Sequence, residues 1–267
     1  VFGAESMQSK ASRPNIRRPA AILVMVAAAA LAGCQQKSAG LGSIDSMTTA
    51  STVPANYEQT TELAKKWQSD TKNLKKGMAY ANALDSIGQT QKQLEVLSVL
   101  YKSHPDNPQV AALYGKKLLA SGRSNEAVVV LETATMLNNK DWRSYSALGS
   151  AYDQQGIYDK ARTAYQQALT IEPDNLTVLN NLGMSYALQG DLKEAEKTLR
   201  MADALPKAAS EPRIRQNLAL VVGLQGRFEE ASAIASKDLP PQQVEANMAY
   251  LKTMLSQPNT WQQLQEG

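Results

Sequence analysis

The chain has 267 residues, a formal net charge of +3 and a sequence pI near 8.8. Residues 1–33 hold four basic residues, Lys10, Arg13, Arg17 and Arg18, against Glu5 alone, which leaves 24 basic and 24 acidic of the totals of 28 and 25. The main part of the chain is therefore neutral, and net charge gives no argument for a nucleic acid as partner.

The chain begins with the pattern of an export signal. Arg17 and Arg18 precede a short apolar run, residues 20–31, which is typical of a secretory signal peptide and too short to span a bilayer comfortably. The run ends at Leu-Ala-Gly-Cys, and Cys34 is the only cysteine. This ending resembles the lipobox of bacterial lipoproteins. The resemblance implies that residues 1–33 are a lipoprotein signal peptide and that Cys34 is acylated, the alternative being a buried free thiol.

The residue after the cysteine bears on localisation. It is Gln35, where lipoproteins kept at the inner membrane often have Asp, so the resemblance implies a lipid anchor on the periplasmic face of the outer membrane. Residues 34–56 are rich in Ser, Thr, Gly and Ala, which bury too little apolar surface to order a segment. They are predicted to form a flexible tether with a reach of roughly 25 Å.

Residues 57–73 are predicted to form an N-terminal capping helix. Thr60, Leu63, Ala64 and Trp67 fall on one face at helical spacing, so that this face can cover the first of the units that follow. Trp67 is expected to pack in this contact rather than to bind a ligand.

The 34 residues from Trp142 to Asn175 are the clearest copy of a repeated unit. Gly149 and Ala161 are small enough for two antiparallel helices to approach closely, and Gly156 can adopt the positive φ of a turn between them. Pro173 lacks an amide hydrogen and ends the second helix. The unit resembles the tetratricopeptide repeat (TPR), whose large, small and helix-ending positions are matched by Tyr145, Leu148, Gly149, Tyr152, Ala161, Tyr165, Ala168 and Pro173.

The turn glycine recurs at an interval of 34 residues, as Gly88, Gly122, Gly156 and Gly190, and once more as Gly226 after a two-residue slip. A chance match would not recur in register. The resemblance implies an all-α fold: a right-handed TPR superhelix, or α-solenoid, of about five helix pairs with capping helices. The repeats are predicted at residues 74–107, 108–141, 142–175, 176–209 and 212–245.

Two places depart from a regular array. Gln93 stands in the first repeat where a small residue is usual, so we expect that helix pair to pack less closely. Residues 246–267 are predicted to form a C-terminal capping helix and tail. The apolar stripe of this helix begins near residue 242, after Pro240 and Pro241. Tyr250 and Met254 lie off this stripe and form either a docking patch or part of a wide core face.

The sequence lacks the usual elements of a catalytic or cofactor site. His104 is the only histidine, which excludes a His-based triad and a multi-histidine metal site. Neither a G-x-x-x-x-G-K-[ST] nor a G-x-G-x-x-G motif is present. Glu194, Glu196, Glu229 and Glu230 lie beside basic residues, which indicates a solvated charged face. We expect no enzyme activity, metal or small-molecule substrate, and no cofactor other than the lipid on Cys34.

The C-terminal part has a closer resemblance. The segments from Arg213 to Phe228 and from Asp238 to Leu255 resemble TadD, the repeat lipoprotein family of Flp/Tad pilus assembly in alphaproteobacteria. The resemblance implies a periplasmic assembly factor that acts as a pilotin for the outer-membrane secretin or on other Tad components. The alternative is a general envelope scaffold that recruits cell-wall enzymes or other machinery.

The partner is expected to bind along the inner curve of the array. In TPR proteins, positions 2, 5, 9 and 12 of each first helix point into this groove, so the resemblance implies a polar surface suited to an extended or helical peptide. Two arginines are expected to hydrogen-bond with carboxylates of the partner. The predicted partner-binding residues are Arg143, Ser146, Ser150, Asp153, Asn180, Met184, Arg213 and Gln216.

Overall fold

The computed structural model describes residues 52–256, and burial from residue 57 onward. Within that part of the chain the structure consists of α-helices and one short 3-10 helix, without a strand. The predicted all-α solenoid of five helix pairs with capping helices is confirmed. The elements are α1 Thr52–Gln68; α2 Leu74–Ser86 and α3 Thr90–Ser103; α4 Pro108–Ala120 and α5 Ser124–Leu137; α6 Trp142–Gln154 and α7 Tyr158–Ile171; α8 Leu176–Gln189 and α9 Leu192–Asp203; the 3-10 helix η1 Pro206–Ser210; α10 Pro212–Leu224 and α11 Phe228–Ala235; and α12 Pro241–Ser256.

The direction of curvature follows from the contacts between repeats. Each helix packs against its neighbours in the chain, and the first helices of successive repeats, α4, α6, α8 and α10, also contact one another. Contacts between successive second helices are sparser among the described residues. First helices therefore lie on the inner, concave side of the array, and second helices lie on the convex side.

Four of the five first helices begin at an amide or carboxylate cap. The side chains of Asn73, Asn107, Asp141 and Asn175 each accept a hydrogen bond from a backbone N–H of the first turn, at 3.0 to 3.2 Å. Such caps satisfy amide groups that have no partner within the helix. The 34-residue spacing of these caps explains why each repeat starts its first helix at the same place.

The two helices of a repeat meet at a small residue. A Cβ built on Gly149 would lie 2.6 Å from Cε1 of Tyr165, and one built on Gly115 would lie 2.6 Å from Cγ of Leu131. The predicted role of Gly149 is thus correct, with Tyr165 as the side chain that fills the space. The turn glycine of every repeat has φ between 70° and 91°, as its repeat position requires.

The core runs through the array as a stack of layers. Alanines at one position of successive second helices, Ala127, Ala161, Ala195 and Ala231, are all fully buried. Large apolar side chains such as Leu97, Leu131 and Leu199 are likewise fully buried, and the last two lie against the small glycines of their own helix pairs. Each layer depends on the repeat next to it, because one helix pair alone leaves part of its apolar surface uncovered.

The first repeat contains an unexpected buried amide. Gln93 is fully buried, and among the described residues neither its Oε1 nor its Nε2 has a hydrogen-bond partner. A glutamine is larger than the alanine at this position in the other repeats, and it brings polar atoms into an apolar layer. The departure seen in the sequence therefore marks a polar defect in the core.

The N-terminal boundaries were predicted incorrectly. The tether was predicted to reach residue 56 and the capping helix to span 57–73, but α1 runs from Thr52 to Gln68. Two contacts in the following turn end α1. The indole Nε1 of Trp67 donates to the carbonyl of Thr71 at 3.1 Å, and Asn73 caps α2. As predicted, Trp67 packs, with its ring centroid 5.6 Å from that of Tyr80.

The C-terminal boundary also shifts. Residue 245 was predicted to end the last repeat, but α11 is only eight residues long and the capping helix α12 begins at Pro241. Pro240 and Pro241 set this start, since proline is favoured in the first turn of a helix and disfavoured inside a helix that began earlier. The two-residue slip after the fourth repeat is occupied by η1. Val244, Met248 and Leu251 are buried, Met254 is partly buried, and Tyr250 is half exposed.

No helix between residues 52 and 256 combines the length and the apolar character that crossing a membrane requires. Cys34, the predicted signal peptide, the greater part of the predicted tether and the predicted tail after residue 256 lie outside the described residues.

Candidate partner-binding surface

The predicted groove residues lie on the first helices α6, α8 and α10, whose shared side is concave. In the third repeat, Arg143 is exposed, and its guanidinium lies 4.7 Å from the ring centroid of Trp142. Ser146 is only 6% exposed, so the prediction that it contacts a partner is corrected: its side chain is covered by the protein itself. Ser150 and Asp153 are partly buried.

Asp153 is the centre of a polar cluster that joins two repeats. Its Oδ2 accepts a hydrogen bond from the hydroxyl of Tyr165 at 2.8 Å, and its Oδ1 accepts one from Ser185 on α8 at 2.6 Å. The hydroxyl of Ser150 lies 3.0 Å from that of Tyr165. Tyr165 and Ser185 are buried. The cluster therefore holds α6 and α8 in register and leaves one partly exposed carboxylate on the concave side.

Burial is the main influence on this carboxylate. It raises the pKa of Asp153 to about 6, against the opposite effect of the hydrogen bonds from Ser185 and Tyr165 and of the nearby Arg162. Burial also raises the pKa of Tyr165 well above its usual value, so the phenol remains a donor to Asp153. The side chain of Asp153 thus sits in a less polar environment than an ordinary surface carboxylate.

The fourth and fifth repeats contribute a looser polar stretch. Asn180 accepts a hydrogen bond at 2.7 Å from the side chain of Asn217, which links α8 to α10. Met184 and Gln216 are partly buried. Arg213 is 68% exposed at its side chain and has only a 3.7 Å ion pair with Glu211. Among the described residues no shorter ion pair holds the guanidinium of Arg213, which extends into solvent.

The same positions one repeat earlier also lie on the first-helix side, and they are not among the predicted residues. Gln109, Ala112 and Lys116 on α4 are equivalent to Arg143, Ser146 and Ser150 on α6. They line a cleft of about 240 Å³ between α4 and the start of α6. Extending the 34-residue spacing by one unit would have found them. Whether the partner binds any of these residues stays a prediction.

A second residue overlooked in the sequence is Arg215. It is only 9% exposed, and its guanidinium pairs with Asp238 and donates to the carbonyl of Ala208 at 2.9 Å. These contacts fix the last repeat to η1 and to the turn before α12. Its neighbour Arg213 carries no such contacts, and a single sequence does not distinguish the two.

The other residues singled out in the sequence lie apart from the groove. His104 follows α3, and its Nε2 lies 2.6 Å from the carbonyl oxygen of Lys72, so it ties two loops together and is partly buried. Glu196 and Glu230, on the second helices α9 and α11, form a network of ion pairs with Arg200 on α9 and with Arg227 just before α11. This agrees with a charged face, although Glu196 is more buried than expected, with 15% of its side chain exposed.

The stacked helix pairs, positive-φ turn glycines and buried alanines define a tetratricopeptide-repeat protein of the α-solenoid class. Two repeat models match the chain, TPR repeat over residues 151–190 and Tetratricopeptide repeat over residues 176–205. Proteins of this class are protein–protein interaction scaffolds.

Among curated proteins, the uncharacterized protein y4yS of Sinorhizobium fredii is 34% identical over 98 residues, which is 37% of this chain and 53% of that protein. The chain thus spans about half the length of that relative. Among solved structures, TTC0263, a thermophilic TPR protein of Thermus thermophilus, has a TM-score of 0.54 and 22% identity, with coverage of 67% of this chain and 98% of that one. MamA from Desulfovibrio magneticus RS-1 has a TM-score of 0.54 and 22% identity over 59% of this chain and 89% of that one. At this identity the likeness concerns the fold alone.

Proposed function

We propose that the protein is a non-enzymatic adaptor that binds a segment of a partner protein along its concave surface. The observation that carries this proposal is the continuous run of polar side chains on successive first helices, from Lys116 through Asp153 and Asn180 to Gln216. Polar groups held on a rigid scaffold suit the backbone and side chains of an extended or helical peptide. The fold supports protein partners, since each repeat adds one helix to the same surface.

The adaptor is proposed to act in Flp/Tad pilus assembly, with a segment of the outer-membrane secretin as its partner. This part rests on the resemblance of the segments from Arg213 to Phe228 and from Asp238 to Leu255 to the TadD family. These segments form α10, the start of α11, and α12 with the turn before it. The proposed lipid anchor is at Cys34, which ends the signal-like run. An acyl chain together with a second lipid signal attaches a protein stably to a membrane.

The proposal that the protein is not an enzyme is supported by the nature of its polar clusters. Repeat scaffolds of this kind are typically non-catalytic. Between residues 52 and 256, no group of three or more His, Cys, Asp or Glu side chains could hold a metal ion. The carboxylates of Asp153 and Glu196 are both engaged by neighbouring hydrogen-bond donors, which gives each of them a structural role.

The groove is tested by charge reversal. Arg143→Glu with Arg213→Glu changes two concave side chains, and Lys92→Glu with Lys102→Glu makes the same charge change on the exposed face of α3. In a pull-down from envelope extract, we expect the groove variant to recover less secretin and the control variant to recover as much as the wild type. Both should keep their helical signal, since surface substitutions usually cost little stability. Equal recovery with all three proteins would remove the groove from the proposal.

The anchor is tested separately. Cys34→Ser should abolish incorporation of labelled palmitate and move the protein from the membrane fraction to the soluble one, because the sulfur is the proposed point of attachment. Unchanged labelling in the variant would show that Cys34 is not the acylated residue.

A second candidate function is a general envelope scaffold that recruits cell-wall enzymes. It is favoured by the generality of the repeat matches, which fall within residues 151–205 and carry no feature of one pathway. The genes beside this one distinguish the two candidates: neighbouring prepilin, secretin and pilus-ATPase genes support the first, and their absence supports the second.

A further inference from the structure

The stretch of residues 65–76, which joins α1 to α2, is the most basic part of the described chain. No stretch of twelve residues between 77 and 256 contains more than three basic residues. We call residues 65–76 the lysine turn. It contains five lysines, Lys65, Lys66, Lys72, Lys75 and Lys76, and a single acidic residue, Asp70.

Three of these lysines, Lys66, Lys72 and Lys75, have exposed side chains. Among the described residues none of the three has a side-chain hydrogen bond or a carboxylate within ion-pairing distance. A fourth, Lys76, is partly buried and donates to the hydroxyl of Ser69 at 3.2 Å, without an acidic partner in the described chain. The charges of the lysine turn thus face solvent instead of being paired one by one.

The acidic groups beside the turn do not balance this charge. Glu62 pairs with Lys65 at 2.9 Å, and the hydrogen bond and charge of Lys65 lower the pKa of Glu62. Asp70 offsets one more lysine, so five cations meet two carboxylates and the net charge is +3. In the loop after α3, which contacts the turn, Lys102 and Asp106 cancel each other.

Side-chain contacts hold the backbone of the lysine turn in one shape. The Nε2 of His104 lies 2.6 Å from the carbonyl oxygen of Lys72, and Lys76 reaches back to Ser69. The indole of Trp67 donates within the same turn. Lysines on a fixed backbone present their charges to one surface at a lower entropic cost than lysines on a flexible segment.

The fold gains little from this charge. Lys65 and Lys66 lie in the last turn of α1, where a positive charge favours the helix. Lys75 and Lys76 lie in the first turn of α2, which has no acidic residue, and a positive charge there opposes the helix dipole. These two lysines, together with Lys72, therefore indicate a role in binding rather than in folding.

The position of the turn along the chain fits a membrane surface. Residues 35–51 separate Cys34 from α1, and a chain of this length spans at most about 60 Å. The 17 residues of α1 add roughly 25 Å before the lysine turn. A chain anchored at Cys34 can therefore bring the lysine turn to the surface of the same membrane.

We propose that the lysine turn binds the phosphate groups of anionic phospholipids in the membrane that holds the proposed anchor, through Lys66, Lys72 and Lys75. The inference rests on the proposed function, since the lipid on Cys34 supplies the nearby membrane. Each lysine close to an anionic leaflet contributes about a fivefold gain in affinity. With the anchor as the other point of attachment, this contact sets the orientation of the repeat array relative to the membrane.

The test uses residues 34–267, the proposed mature chain, which contains every described helix. All proteins carry Cys34→Ser, so that no acyl chain contributes to binding. The turn variant is Lys66→Gln with Lys72→Gln and Lys75→Gln. It retains Lys76, whose contact helps to hold the turn.

The matched control is Lys140→Gln with Lys193→Gln and Lys237→Gln. It removes the same charge from exposed lysines of three other repeats, and Lys193 likewise lies in the first turn of a helix. Net charge is therefore equal in the two variants, and only the position of the lysines differs. Circular dichroism checks that all three proteins are folded.

Binding is measured by co-sedimentation with vesicles of phosphatidylcholine alone and with vesicles that contain about one third phosphatidylglycerol. We expect the parent to prefer the anionic vesicles by about a hundredfold at low salt and to lose this preference as salt screens the charges. The turn variant should bind the anionic vesicles at least about tenfold more weakly. The control should bind them within about threefold of the parent.

Equal binding of the parent to both kinds of vesicle, or equal binding of the turn variant and the control, would overturn the proposal. Purified peptidoglycan sacculi form a further arm, since they are also anionic. Retention on sacculi that depends on the same lysines, without binding to vesicles, would overturn the lipid site in favour of the cell wall.

These outcomes are separable from those of the anchor test. Incorporation of palmitate at Cys34 without a preference for anionic vesicles would leave the anchor in place and remove the lipid site. A lysine-dependent preference for anionic vesicles without palmitate incorporation would leave the lipid site in place and remove the anchor.

Discussion

Arg215 on α10 and Asp238 before α12 form a two-point ion pair in which Nε lies 2.6 Å from Oδ2 and Nη2 lies 2.6 Å from Oδ1. Both side chains are about one-tenth exposed. The same guanidinium donates to the carbonyls of Ala208 and Ala209 in η1. One side chain thus connects the two-residue insertion, the last repeat and the turn into the capping helix.

Arg215→Ala is expected to destabilise the last repeat by about 3–5 kcal/mol, because it leaves a buried carboxylate without a partner. The loss should appear as faster amide hydrogen exchange in α10 and α12 and as an earlier first phase in urea unfolding. Arg213→Ala is the matched control, since that side chain is 68% exposed, and it should change stability by no more than about 0.5 kcal/mol. Similar exchange rates in both variants would contradict the structural role of Arg215.

Gln93→Met is expected to stabilise the first repeat. The side chain of Gln93 is fully buried without a hydrogen-bond partner among the described residues, and methionine has a similar shape without the amide. The gain should be about 1–3 kcal/mol, the usual cost of a buried unsatisfied polar group. Thermal unfolding followed by circular dichroism measures it, with Gln91→Met at an exposed site of the same helix as control. A loss of stability in Gln93→Met would mean that the amide has a partner after all.

Asp153 should make the protein more stable as the pH falls from about 6 to about 4. Burial raises its pKa from 3.8 to about 6 in the folded state, so the folded protein takes up a proton before the unfolded chain does. Stability decreases as the pH rises through this window and is level above it. Asp153→Asn keeps the size of the side chain and should remove this dependence, on the order of 2 kcal/mol between pH 4 and pH 7. Urea unfolding at a series of pH values measures the difference, and parallel curves for the two proteins would refute the assignment.

Glu196 should act in the opposite direction at lower pH. Burial alone would raise its pKa, but hydrogen bonds from Arg227, Gln225 and Arg200 outweigh burial and lower the pKa to about 2. A carboxyl with a depressed pKa contributes stability above its unfolded value of 4.5, and this contribution is lost as the pH falls towards 2.

Glu196→Gln is therefore expected to lower stability at pH 7 by about 1–2 kcal/mol, a reduced figure because the arginines of the network are partly open to solvent. The variant should also lose less stability than wild type between pH 5 and pH 2. Glu194→Gln serves as control, since Glu194 is 42% exposed and pairs only with Lys197. If both variants followed the acid transition of wild type, the network would have no role in it.

The repeat length, the turn glycines and the helix caps could be predicted because they are local. A positive φ at Gly156, a cap at Asp141 and a small residue at Gly149 each depend on residues a few positions away, and a spacing of 34 repeats them. The ends of the array were harder to predict. The end of α1 depends on the hydrogen bond from Trp67 to Thr71, and the fifth repeat is shortened before Pro240.

The candidate site was predictable only as a set of positions. The spacing placed Arg143, Ser150 and Asp153 on one helix face, but it did not indicate that Ser146 is covered or that Tyr165 and Ser185 engage Asp153. Arg213 and Arg215 are two residues apart in the sequence and have opposite roles, since one extends into solvent and the other is buried in an ion pair.

The sequence by itself therefore determined the class of fold, the number of helix pairs and the positions that share one face of the first helices, because these follow from a short period of small, large and turn residues. The tertiary structure alone decided which polar groups are available on that face. Availability depends on contacts between residues about 20 to 37 positions apart, such as those of Asp153 with Ser185, Asn217 with Asn180 and Arg215 with Asp238.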